Sequence, residues 1–212
     1  MRIGVLASGG GSNLQALINH FAQVDNGARE IVWVGSNSPS APVLARATAA
    51  GITTGVIMKA TDGVAILEQL SASKVELLVL AGYLKLVPPH VVRAFAGRLL
   101  NVHPSMLPAF GGIGMYGERV HAAVLASGAT HTGVTVHFVD DAFDRGAIIA
   151  QWPVPVLPDD TSRTLAARVL RVEHALYPLC VAAVASGAVT LGADGRSHGR
   201  VNLAALDTLS SR

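Results

Sequence analysis

The sequence predicts an α/β fold: an open, mostly parallel twisted sheet of about seven strands, with helices on both faces and antiparallel strands near the C-terminal part. Three observations predict it. Short apolar runs alternate with segments of helical period across the first hundred residues, the pattern of a parallel sheet wound with crossover helices. The first run, residues 3–7, is apolar throughout, as expected of a strand covered on both faces. The last two strand-like segments lie close together in sequence, which suits an antiparallel pair. Half of the 212 residues are hydrophobic and 14% are charged, so a sizeable core is expected and disorder is not.

Residues 3–7 read as the first strand. Ser8-Gly9-Gly10-Gly11-Ser12-Asn13 follows, and then Leu14, Leu17, Ile18 and Phe21 recur at helical spacing, so a helix begins near Ser12 with Ser12 or Asn13 as its N-cap. Residues 30–35 are the second strand, 41–50 a helix of small residues, 53–57 the third strand, 64–73 a helix and 75–80 the fourth strand. Pro88-Pro89 opens a short helix through Phe95, with proline in the first turn. Residues 99–103 are the fifth strand, ended by Pro104. After the glycine-rich stretch 111–114, residues 117–127 read as a helix. Residues 132–138 and 147–152 read as strands, the second stopped by Pro153, and 161–185 is the longest helical segment. The tail from Gly187 reads as a short hairpin, Val189-Thr190 against Val201-Asn202 around Asp194-Gly195, followed by a loose end. With no repeat and no linker, residues 1–212 are expected to form one domain.

Composition narrows the function classes. The net charge of +2 and the absence of any run of four Lys/Arg residues give no footprint for DNA or RNA. No apolar stretch reaches the roughly 18 residues needed to span a bilayer, and the N-terminus enters a strand directly, without the pattern of a signal peptide. The single cysteine, Cys180, lies in an apolar run and reads as core. It permits no disulfide or zinc framework, which suits a reducing compartment, so the expected location is cytoplasmic. The chain is expected to act as a monomer or homodimer, with no nucleic-acid or membrane partner.

Two constellations carry chemistry. Asn101 and His103 alternate on one face at the carboxyl end of the fifth strand, where open α/β sheets bind ligands. They read either as a site or as local hydrogen-bonding groups around a turn. The glycine loop 8–13 joins a strand to a helix N-terminus, a ready anion site. It is not a P-loop, because no Gly-Lys-Ser/Thr follows. The dinucleotide fingerprint fails as well, since Leu14 stands at the third glycine position and the second strand ends in Ser36-Asn37, not an acid. A monophosphate held by backbone N–H groups with Ser12 and Asn13 fits best; the alternative is a tight turn with no ligand. His137 shares a strand face with Thr135, and the following turn holds Asp140, Asp141 and Asp144. Asp144 is singled out because Gly146 permits an unusual backbone path there; a carboxylate beside an imidazole raises its pKa and keeps it charged. The eight histidines show no metal-ligand spacing, so no metal is expected.

The stretches Ser8-Gly-Gly-Gly-Ser-Asn-Leu-Gln15, Leu80-Ala-Gly-Tyr-Leu-Lys-Leu86, Gly97-Arg-Leu-Leu-Asn-Val-His-Pro-Ser-Met-Leu-Pro108 and His137-Phe-Val-Asp-Asp-Ala-Phe-Asp144 together resemble the phosphoribosylglycinamide formyltransferases, a branch of the folate-dependent formyltransferase superfamily. The resemblance runs over about residues 2–185. It implies a Rossmann-like formyltransferase fold with a phosphate-binding half over about 1–100 and a folate-binding half over about 101–190. It also implies transfer of the formyl group of 10-formyltetrahydrofolate, the cosubstrate, to the amine of glycinamide ribonucleotide, with no metal. Carried over by motif, Asn101, His103 and Asp144 are the catalytic trio. Gly11, Ser12 and Asn13 bind the substrate phosphate, and Glu173 contacts its ribose or glycinamide end. Leu84, Lys85, Leu86 and Val87, together with Asn101, Asp140 and Asp144, bind the folate. This sequence departs from the family at Asp62-Gly63-Val64, where an arginine for the folate tail is often found, at Arg145, where glycine or threonine is usual, and in 111–118, a glycine-rich variant of a mobile flap. The competing readings are a formyltetrahydrofolate deformylase, which carries an extra N-terminal domain not expected here, and a non-catalytic nucleotide-phosphate-binding module.

Overall fold

The computed structural model describes residues 1–24 and 27–206. It contains two compact units: Met1–Asn101 with Val139–Asp141, and Val102–Phe138 with the chain from Ala142 onward.

The first unit is built on β1 (Arg2–Leu6), which is paired in parallel on both sides. Along the chain follow α1 (Ser12–Val24), β2 (Glu30–Ser36), α2 (Pro42–Ala49), β3 (Thr53–Val56), α3 (Gly63–Ala72), β4 (Leu77–Leu80), α4 (Pro89–Ala94) and the start of β5 (Leu99–His103). The strand order is β3-β2-β1-β4-β5, parallel throughout. Because β1 is covered on both faces, Ile3, Val5 and Leu6 are fully buried, which is why the strand reads as an unbroken apolar run. Trp33, Ile66, Leu70, Leu78 and Phe95 fill a core on one side of this sheet. Gly35 and Gly55 flank the Trp33 ring, where a Cβ would strike the indole.

β4 begins at Leu77, two residues later than the apolar run suggests. Val75 N–H closes α3 on Leu70 O at 2.9 Å, and the Glu76 carboxylate accepts from Arg2 N–H at 2.6 Å. Glu76 N–H still donates to Arg2 O at 2.8 Å, so at this position one bond to β1 comes from the main chain and the other from a side chain.

The second unit holds the end of β5, α5 (Glu118–Ala126), β6 (His131–Phe138), β7 (Ile148–Pro155), α6 (Ser162–Ala185), β8 (Val189–Leu191), β9 (Ser197–Gly199) and a short 3₁₀ turn, Ala204–Leu206. Its strand order is β5-β6-β7, with β6 and β7 antiparallel, so the two units together carry the expected seven strands. Pro153 does not stop β7. It lies opposite Gly133 in an edge strand, where a missing N–H is tolerated, and the strand continues to Pro155. The hairpin also differs from the reading: Val189 pairs with Gly199 and Leu191 with Ser197, so Val201 and Asn202 lie beyond it. Residues 207–212, part of the expected loose end, lie outside the described residues.

α6 opens with a reciprocal cap in which Thr164 N–H donates to Thr161 Oγ1 at 3.2 Å and Thr161 N–H to Thr164 Oγ1 at 2.9 Å. Its buried stripe (Leu165, Val169, Val172, Leu176, Cys180) packs on α5, β6 and β7. Burial pushes the Cys180 thiol far up, as befits a core residue. Among the described residues, no helix is long and apolar enough to cross a membrane.

Candidate functional site

In the first unit, the loop after β1 and the loop after β4 meet where the strand order reverses, the usual position of a ligand crevice in such sheets. Ser8 ties them together. Its N–H donates to Gly82 O at 3.0 Å, its hydroxyl donates to Asn37 Oδ1 at 2.6 Å and accepts from Leu84 N–H at 2.9 Å. Gly11 sits at φ +76°, and a Cβ there would lie 2.6 Å from Val43 Cγ2, so only glycine fits. Gln15 N–H donates to Gly11 O at 3.0 Å, which makes Gly11 the N-cap; Ser12 and Asn13 fall in the first helical turn. The expected side-chain cap is thus absent because the loop's fold is set by glycine and by α2. N–H groups of the first turn lie outside the helical ladder, and the helix dipole favours an anion beside them. Beyond Gly82, at φ +73°, Leu84 and Leu86 are 47% and 45% exposed, large apolar groups for their position, whereas Val87 is buried in the core and Lys85 is exposed. Asp140 lies in this unit and is half-buried.

The second unit concentrates buried polar side chains. His103, at the end of β5, is 3% exposed; its Nδ1 lies 3.5 Å from Asp144 Oδ2 and its Nε2 lies 2.9 Å from Phe110 O. The other carboxylate oxygen, Oδ1, lies 3.7 Å from His137 Nε2, and Gly112 N–H donates to Oδ2 at 2.9 Å. His137 is aimed by a bulge in β6 between Val136 and His137, the usual device for redirecting a side chain beside a site. Asp144 itself takes the left-handed conformation, φ +56°, while Gly146 does not. Asp tolerates that region better than most residues, so the unusual backbone path expected from Gly146 belongs to Asp144 itself. Asn101 lies two residues before His103 on β5, half-buried, and Glu173 is buried on α6.

The turn after His103 is held by a network that the motif did not reveal. Thr135 Oγ1 donates to Ser105 O at 2.7 Å and accepts from Leu107 N–H at 3.0 Å, while Gln151 Nε2 donates to Leu107 O and to Thr135 Oγ1, each at 2.9 Å. Gln151 is the one polar residue in the apolar segment 147–152, and that was its only signal. Leu107, Pro108, Gly111, Gly112, Phe143 and Asp144 enclose much of a cavity of about 370 Å³.

Burial pushes the His103 imidazole below its ordinary value, against the opposing pull of the Asp144 carboxylate and the Phe110 carbonyl; His137 adds to the lowering. The expected effect of Asp144 is therefore present but outweighed: His103 is not held charged at neutral pH, because desolvation exceeds the carboxylate's attraction. For Asp144, burial acts upward, yet the His137 hydrogen bond, the His103 charge and the Gly112 N–H together hold it below the usual carboxylate range. His121 is also lowered, by burial and then by His103, against Glu118, and its Nδ1 is buried with no hydrogen-bond partner. A neutral imidazole carries one N–H and an imidazolium two, so only the charged ring satisfies Asp144 and a second acceptor together. Such an arrangement can deliver a proton or a strong hydrogen bond when negative charge appears at the second acceptor position. Among the described residues, no cluster of three or more His, Cys, Asp or Glu could hold a metal.

Residues 1–181 match the family model described as formyl transferase. The chain is 40% identical over 200 residues to the chloroplastic phosphoribosylglycinamide formyltransferase of Vigna unguiculata, covering 92% of this chain and 64% of that protein. It is 43% identical over 201 residues to the trifunctional purine biosynthetic protein adenosine-3 of Bos taurus, covering 92% of this chain and 19% of that one. The chain thus spans a little under two thirds of the first of these relatives and about a fifth of the second. The crystal structure of phosphoribosylglycinamide formyltransferase from Anaplasma phagocytophilum superposes with a TM-score of 0.85 at 36% identity, covering 94% of each chain.

Proposed function

We propose that this chain, which belongs to the formyl transferase family and within it to the phosphoribosylglycinamide formyltransferases, transfers a formyl group from 10-formyltetrahydrofolate to the primary amine of glycinamide ribonucleotide in purine biosynthesis. The observation that carries this reading is the buried His103–Asp144 pair, with His137 on the second carboxylate oxygen. A binder of phosphate alone has no use for such a pair, which costs desolvation and earns its place only in proton chemistry.

In this reading Gly11, Ser12 and Asn13 take the substrate phosphate, and Glu173 takes its ribose or glycinamide end. Leu84, Lys85, Leu86 and Val87, with Asn101, Asp140 and Asp144, receive the folate. The half-exposed Leu84 and Leu86 suit a flat apolar ring system, and Val87, being buried, contributes its backbone. The folate supplies the formyl carbon. Asn101 and His103 donate hydrogen bonds to the oxygen on which negative charge develops; losing one such donor typically costs roughly 10²–10³ in rate. That oxygen takes the acceptor position which Phe110 O holds at 2.9 Å, and its charge raises the proton affinity of His103 at the moment the proton is needed. Asp144, ionised and fixed by Gly112 N–H and His137, steadies the imidazolium and passes the proton released by the amine to the folate nitrogen, whose bond to the formyl carbon then breaks and frees tetrahydrofolate. The whole chain serves as one catalytic domain, in the cytoplasm, as a monomer or homodimer.

His103→Ala tests the reading against a binding module. Turnover should fall by about 10²–10³, while calorimetry shows glycinamide ribonucleotide bound with affinity within a few-fold of the parent. Unchanged turnover would remove His103 from the reaction.

A further inference from the structure

We propose that Arg46, on α2, is a positioning residue that orients the phosphate loop and lends it charge. The inference rests on reading Gly11, Ser12 and Asn13 as the phosphate site. α2 holds two successive peptide units of the loop by their carbonyls: Val43 N–H donates to Gly9 O at 3.1 Å, and Arg46 Nε–H donates to Gly10 O at 3.3 Å. A trans peptide unit points its carbonyl and the next N–H in opposite directions. Drawing Gly10 O toward α2 therefore turns the Gly11 N–H away from α2, and drawing Gly9 O does the same for Gly10 N–H. The guanidinium also donates from Nη1 to Gln15 Oε1 at 2.8 Å, so it grips the chain on both sides of residues 11–13. Gln15 in turn donates from Nε2 to Asn19 Oδ1 at 2.8 Å, which fixes it along α1.

These two contacts use two of the guanidinium's five N–H donors, and the side chain is exposed, so donors and charge remain for a dianion at the loop. Arg168 shows the contrast. Its fork is engaged by Asp160 at 2.6 and 2.9 Å, and its charge is neutralised. Arg46 meets only a carbonyl and an amide, acceptors that steer it without cancelling its charge.

The experiment measures KM for glycinamide ribonucleotide, for 10-formyltetrahydrofolate and for glycinamide riboside, the same amine without its phosphate, in the parent, Arg46→Gln and Arg46→Lys. Arg46→Gln should raise KM for the ribonucleotide about tenfold, the scale of one exposed charge-assisted contact. KM for the folate and for the riboside should stay unchanged, and Arg46→Lys should fall between parent and Arg46→Gln, having charge without the fork. An equal rise for ribonucleotide and riboside, or no rise, overturns the proposal. If the parent itself does not distinguish ribonucleotide from riboside, the phosphate-site reading fails. If the parent distinguishes them and Arg46→Gln still does so fully, only the role of Arg46 fails. Equal thermal unfolding midpoints for the three proteins confirm that kinetics are compared between folded chains.

Discussion

The two units prepare for chemistry in opposite ways. The first does it with the main chain: a glycine at φ +76°, carbonyls held by α2, and the N–H groups of a helix turn. The second does it with side chains taken out of water, a carboxylate and two imidazoles with few atoms exposed. Main-chain groups keep their charge distribution at any pH and survive most side-chain changes. They fail when a Cβ is added where none fits. Buried side chains can gain and lose protons, and they fail when their charge is altered even at constant shape. The contrast suits a division between holding an anion and moving a proton.

The largest expected effect comes from breaking the second unit's device at constant shape. Asp144→Asn should lower kcat by about a hundredfold or more. It removes the group that raises the proton affinity of His103, so the His103 limb of the pH–rate profile should move to lower pH. A profile unchanged in both height and position would take Asp144 out of the mechanism.

Breaking the first unit's device needs only a methyl group. Gly11→Ala puts a Cβ 2.6 Å from Val43 Cγ2 at a positive φ, and should cost roughly 1–3 kcal/mol in chemical denaturation. KM for glycinamide ribonucleotide should rise in the same variant, with KM for the folate little changed. Val43→Ala added to Gly11→Ala should return part of the stability, since it removes the obstructing methyl groups but leaves the left-handed strain.

A smaller effect separates the units by pH. His103, His121 and His174 all have their proton affinity lowered by burial, and all belong to the second unit. Above their ordinary value of 6.5 they are neutral in both folded and unfolded chains. As pH falls below 6.5 the unfolded chain takes up protons that the folded chain resists, so folding stability declines until the lowered folded values are passed. Denaturant titrations from pH 7.5 to 5.5 should show this decline, and His121→Leu should flatten it without abolishing it. A slope unchanged by His121→Leu would mean that His121 charges as easily folded as unfolded.

The contrast between the units also explains what the sequence could reveal. The first unit was legible almost element by element, because parallel strands buried on both faces appear as apolar runs and glycine or proline separates them. The second was less so. Pro153 looked like a stop because nothing in the sequence says that β7 is an edge, and the β9 strand is too short and polar to stand out. His103, His137 and Asp144 were legible as residue types near strand ends, and the structure brings all three together. What the sequence could not give was the balance of forces on them. The lowered proton affinity of His103 comes from burial, and its second acceptor is a main-chain carbonyl, Phe110 O, which no motif contains.

Transfer of the formyl group to an amine held by this chain is the proposed reaction. Its most direct test is an absorbance assay of folate product formation with and without glycinamide ribonucleotide. Product should form only when the ribonucleotide is present and in proportion to the amine consumed. Product formed at the same rate without it would contradict the account, because water, not the amine, would then be the acceptor.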